Sequence, residues 1–135
     1  MMKQQSILLM LLLFFPLFAF PNHVRWQGIY DKSLQQAYDE EKPLLVLVVK
    51  EKNLLCNEII VKTFMNQPYI DKINKKFVTV IVTYEGDQSY PIELYYTTFF
   101  PTLFMVDSQK ETFLSTPLYE HNITVKQLEK MLNKF

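Results

Sequence analysis

The stretch Lys42–Met65, KPLLVLVVKEKNLLCNEIIVKTFM, constrains the fold of this chain more than any other. Leu44–Val49 is a continuous aliphatic run, rich in β-branched residues and too short for a globular helix. It reads as a central strand buried on both faces. Lys50–Asn53 is a polar corner, and Asn53 suits a helix N-cap because its side-chain oxygen can accept a free backbone N–H. From Leu54 onward the apolar spacing lengthens to a helical period through Leu55, Ile59, Ile60 and Phe64. Cys56, the only cysteine, falls in the first turn of that helix.

A second run of the same kind, Phe77–Thr83 (FVTVIVT), reads as another buried strand. Two such strands joined through helix imply parallel pairing with a right-handed crossover. The chain has 135 residues, 49% of them hydrophobic and 15% aromatic, enough to build one domain around a real core. Its 14 basic and 14 acidic residues cancel, which removes the electrostatic case for nucleic acid or an anionic membrane surface. Two glycines, Gly28 and Gly86, cannot make a phosphate-cradling loop. One cysteine excludes an intrachain disulfide and a cysteine-based zinc site, and the isolated His23 and His121 read as ordinary histidines. No metal site and no cofactor are expected.

Residues 1–20 have the layout of a secretory signal, with Lys3 ahead of an apolar segment over residues 7–20. That segment is short for crossing about 30 Å of hydrocarbon as a helix. The alternative is an uncleaved N-terminal anchor tethering the domain to the membrane, and both readings place residues 21–135 outside the cytoplasm. Beyond a lead-in carrying Trp26 and Tyr30, Asp31 or Ser33 can cap a first helix over Leu34–Glu41, with Leu34, Ala37 and Tyr38 inward. Asn66–Pro68 reads as a break, followed by a short helix over Tyr69–Asn74 with Ile70 and Ile73 inward. Pro91–Tyr96 can form a proline-led helical turn. Thr97–Asp107 holds an aromatic corner, Pro101 and a third strand, and Glu111–Ser115 reads as its antiparallel partner. Thr124–Gln127 is a capping box that opens a last helix, with Val125, Leu128 and Leu132 inward. The class is α/β: one mixed sheet of about four strands with helices on both faces.

Two motifs carry a resemblance. Lys42-Pro43, an aliphatic strand and a cysteine at a helix start form the first. Phe100-Pro101-Thr102 running into LFMVD forms the second, more specific one. Together with the element order they resemble the thioredoxin-like superfamily, in particular its small exported thioredoxin-related members, over residues 21–135. The resemblance implies a cis peptide bond before Pro101 and a client-binding corner of Phe100, Pro101 and Thr102, with Leu54 and Leu55 beside it. It also implies a Cys-x-x-Cys pair at the strand-to-helix corner, and here the chain departs. The four positions read Asn53-Leu54-Leu55-Cys56, so the attacking thiol is replaced by Asn53 and the resolving thiol, Cys56, is kept.

Thiol–disulfide turnover needs one thiolate to attack and a second thiol to release the mixed disulfide. Asn53 can do neither, so dithiol chemistry within one molecule is excluded. For Cys56 two influences compete. The helix N-terminus favours the thiolate, whereas burial under Leu54 and Leu55 and a nearby Glu58 charge oppose it. Two functions therefore stand. The first is a degenerate, non-catalytic module binding another exported or envelope protein. The second is a single-cysteine exchange protein acting through Cys56 with an external resolving thiol. A lone exported cysteine can also link two copies. Cys56 with Met65 or Met105 offers soft ligands for Cu(I), but the spacing matches no motif. Asn122-Ile123-Thr124 matches a glycosylation sequon, with Thr124 doubling as helix cap.

Overall fold

The computed structural model describes residues 23–135. The signal or anchor expected over residues 1–20 lies outside them. Four strands form one sheet: β1 (Leu44–Lys50), β2 (Val78–Tyr84), β3 (Thr102–Val106) and β4 (Leu118–Tyr119), in the order β2-β1-β3-β4. β1 pairs parallel with β2, from Leu44 opposite Val78 to Lys50 opposite Tyr84. It pairs antiparallel with β3, where Val46 faces Phe104. Four helices flank the sheet: α1 (Tyr30–Asp39), α2 (Leu54–Phe64), α3 (Gln67–Lys76) and α4 (Val125–Asn133).

Side chains alternate along a strand, so a run that is apolar at every position must bury both faces. β1 does this. Leu45 and Leu47 point to one face, where Leu103 and Met105 join residues of α2, α3 and α4. Leu44, Val46 and Val48 point to the other, with Val78, Val80, Val82, Phe104 and Val106, covered by α1 through Tyr30 and Ala37 and by Tyr95. The outer edge of β2 is closed by the lead-in, where Gln27 donates to the Thr79 carbonyl at 2.9 Å and accepts from Ile81 N–H at 3.0 Å. Trp26 packs edge-on against Phe64 at 5.2 Å.

Several boundaries differ from the sequence reading. The first helix begins at Tyr30, because Ser33 is not a cap: its hydroxyl bonds back to the Ile29 carbonyl at 2.7 Å inside the helix. The helix is thereby rotated, with Tyr30, Ser33 and Ala37 inward and Tyr38 out in solvent. The break expected at Asn66–Pro68 is present, with Asn66 extended between α2 and α3, but α3 begins earlier than Tyr69, at Gln67, with Pro68 in the first turn, where a missing N–H costs nothing. Pro91–Tyr96 forms the expected proline-led turn, with the Leu94 and Tyr95 N–H groups both donating to the Pro91 carbonyl, at 3.1 and 3.3 Å. Glu111–Ser115 is antiparallel to β3 at a single bridge, Phe113 opposite Val106, with the Phe113 ring on Phe104, and the strand that continues the sheet is β4. In α4, capped by Thr124 Oγ1 accepting from Gln127 N–H at 3.2 Å, Met131 takes the buried place expected of Val125.

Candidate functional site

The site lies where β1 ends and α2 begins, facing the loop that leads into β3. Asn53 caps α2, its Oδ1 accepting the Cys56 N–H at 3.0 Å. That bond satisfies one of the orphan donors of the first turn, the role a short polar side chain performs best at this position. Lys52 just before it holds a left-handed φ of 57°. Leu54 stands 84% exposed, whereas Leu55 packs onto the core.

Cys56 is only 2% exposed. Burial pushes its thiol up, and the carboxylate of Glu120 adds to the rise; the backbone N–H groups of Lys50 and Cys56 itself pull the other way. Burial outweighs the helix end. The acid that acts on Cys56 is Glu120, on the short 3-10 turn Glu120–Asn122, and not Glu58 as the sequence suggested. Glu58 is held on the surface by Lys62 one turn away. Cys56 lines an open cleft of about 500 Å³ with Lys50, Lys52, Glu85 and Asp87.

A protein with this thiol should resist alkylation in the native state near neutral pH and react fully in denaturant. Any native-state rate should show its inflection above the ~8.5 of a free thiol. Fast native labelling with an inflection below that value would mean that the helix terminus governs Cys56 after all.

Across the site, the Phe100–Pro101 peptide bond is cis. Pro101 and Thr102 are buried, and the Pro101 carbonyl accepts from the Glu120 N–H at 2.8 Å. Phe100 packs with the layer that holds Tyr95 and Phe104, a different core cluster from the one Leu55 packs against. It packs on Tyr84 at 5.2 Å, with Lys50 Nζ over it at 5.8 Å. Among the described residues no hydrogen bond engages its N–H or its carbonyl. The aromatic ring offered to solvent is that of Phe99, 52% exposed, in edge contact with Tyr119 at 5.7 Å. Phe99 and Tyr119 border an apolar hollow of about 350 Å³ with His121 and Asn122. The turn carrying Glu120 packs against α2. Tyr119 had no distinguishing signal in the sequence, because its place follows from a strand of two residues.

Among the described residues no group of three or more His, Cys, Asp or Glu side chains could hold a metal ion. The Cu(I) grouping does not assemble. Met105 lies in the core, and Met65 follows the far end of α2, about 14 Å along the axis from Cys56.

No protein-family model matches this sequence, and no curated protein matches it. Solved structures do. A DsbH oxidoreductase superposes with a TM-score of 0.65 at 14% identity, over 87% of this chain and 90% of its own. A thioredoxin from Thermus thermophilus superposes with a TM-score of 0.67 at 15% identity, over 83% and 86%. The C-terminal domain of DsbD from Neisseria meningitidis gives a TM-score of 0.58 at 18% identity, over 78% and 93%. The fold is thioredoxin-like. This thioredoxin-like domain has neighbours of the disulfide-oxidoreductase type and a single cysteine, in the first turn of α2. Among the described residues no helix is long and apolar enough to cross a membrane.

Proposed function

We propose that this thioredoxin-like domain is a degenerate, non-catalytic module, exported from the cytoplasm, that binds an extended segment of another exported protein. The observation that carries the reading is the corner at Phe99–Pro101. It combines an exposed aromatic ring with an adjacent backbone donor and acceptor on Phe100 that have no hydrogen-bond partner among the described residues. Such a corner suits strand addition, in which main-chain bonds give affinity and side-chain contacts give selectivity. Leu54, at 84% exposure, and Tyr119 add exposed apolar surface. Asn53 serves as a cap where a catalytic pair would need its attacking thiol. The burial of Cys56 speaks against single-thiol exchange and against a dimer linked through it.

Binding of a labelled, reduced and S-carboxymethylated insulin B chain, an extended polypeptide without free thiols, tests the reading by fluorescence anisotropy. Phe99→Ala should weaken the complex by about 1–2 kcal/mol, the range of a contact that matters at an interface. Because the ring is exposed, folding stability should stay within about 0.5 kcal/mol of wild type. Cys56→Ser should bind as wild type does. Phe99→Ala binding as wild type does would overturn the module, and a Cys56-dependent mixed disulfide formed with disulfide-intact insulin and released by dithiothreitol would favour single-thiol exchange.

A further inference from the structure

The peptide groups of Phe99 are held by two buried hydroxyls that lie on opposite sides of the cis bond. Thr97 is 6% exposed and Thr102 fully buried. The Phe99 N–H donates to Thr97 Oγ1 at 3.0 Å. The Thr102 hydroxyl donates to the Phe99 carbonyl at 2.6 Å. The two hydroxyl oxygens are 2.9 Å apart. A hydroxyl has one proton to give and lone pairs to receive. Thr97 Oγ1 also lies 3.1 Å from the Phe99 carbonyl, so whichever hydroxyl donates to the other, both Phe99 peptide groups are engaged. The two hydroxyls and the Phe99 peptide groups form one closed hydrogen-bonded ring.

We propose that Thr97 is the positioning residue of the docking corner, acting through Phe99 and not through contact with the partner. The inference rests on the docking reading above and deepens it. Both Phe99 peptide groups turn inward and its ring points out, beside the peptide groups of Phe100, which have no hydrogen-bond partner among the described residues. The corner is thus rigid before a partner arrives, and binding does not have to order it. Thr102 is bound into β3 and follows the proline directly, so the sequence already marks it. Thr97 lies outside every strand and helix, and its hydroxyl reaches Thr102 Oγ1 at 2.9 Å across the cis bond.

The experiment pairs Thr97→Val, which keeps the shape and deletes the hydroxyl, with Thr97→Ser, which keeps the hydroxyl. In Thr97→Val the Phe99 amide should exchange with solvent deuterium at least about tenfold faster, the effect of losing one buried hydrogen bond, while amides of β1 keep their wild-type rates. Affinity for the same S-carboxymethylated insulin B chain should fall about tenfold. Thr97→Ser should restore both readouts to within about twofold. An unchanged Phe99 exchange rate, or a rise matched throughout β1, would overturn the positioning role, as would full affinity in Thr97→Val. The docking reading fails separately, through Phe99→Ala binding as wild type does, and the exchange arm still decides Thr97 in that case.

Discussion

Tyr95→Ala should remove about 3–5 kcal/mol of folding stability, the largest loss expected of any single side chain outside the strands. Tyr95 belongs to no helix or strand, yet it is 1% exposed. Its ring meets Tyr30 at 5.4 Å, Phe104 at 5.2 Å and Phe113 at 6.3 Å, so truncation leaves a cavity walled by aromatic rings that cannot collapse into it. The hydroxyls of Tyr30 and Tyr95 share a hydrogen bond of 2.7 Å, and the other partner of Tyr30, Glu111, is at 3.5 Å. Tyr95→Phe keeps the ring and loses only that bond, so it should cost about 1–2 kcal/mol. Urea unfolding of the three proteins measures the series. A loss under about 1.5 kcal/mol for Tyr95→Ala would mean that the turn is a detachable flap. The same pair sets the alkaline limit. Burial pushes Tyr30 up to about 12 and Tyr95 further up, above the ordinary phenol value of about 10. The unfolded chain sheds both protons near pH 10 while the folded one retains them. Stability is therefore flat below about pH 10 and falls above it, by up to about 1.4 kcal/mol per pH unit for each phenol. Tyr95→Phe should lessen the slope.

Tyr95 also shows where the sequence stops being readable. A buried strand announces itself through a run such as LLVLVV, because both faces must be apolar, and β1, β2 and their parallel register follow from two runs and one crossover. Caps are equally local: Asn53 and Thr124 bond the N–H groups that their positions predict. A cis bond before Pro101 came with the Phe-Pro-Thr motif. Ser33 misleads because the same hydroxyl that caps a helix can also bond back to a carbonyl one turn earlier, and only the surrounding packing decides between them. Tyr95 and Tyr96 are neighbours of one chemical type, one in the core and one 66% exposed, and the turn that separates them has no period to read. The candidate site divides in the same way. Asn53, Cys56 and Pro101 were legible as residues with chemistry, whereas the exposed rim of Phe99 and Tyr119 depends on which way the cis bond and a two-residue strand aim their rings.

Asn53→Cys should give this domain a redox cycle that the natural sequence lacks. Residue 53 is the N-cap, and its side chain already points at the first-turn N–H groups, where the positive end of the helix favours a thiolate. Positions 53 and 56 are three apart at a helix start, where Cα atoms lie about 5 Å apart, within the Cα separation that a disulfide spans. Residue 53 would supply the attacking thiol at the surface, and Cys56, buried and with its proton held more tightly than in a free thiol, the resolving one. Mild oxidation should therefore close a 53–56 disulfide, read as the loss of two hydrogens by mass. With dithiothreitol as reductant the variant should reduce insulin at a rate clearly above the uncatalysed background, while the wild-type chain and Cys56→Ser stay at background. The cost is the cap, about 1 kcal/mol of stability. Two thiols that remain free after oxidation would show that the corner no longer places residue 53 against Cys56. A disulfide that closes without insulin turnover would locate the block in the docking corner, with Phe99 held across the path that a client disulfide must take.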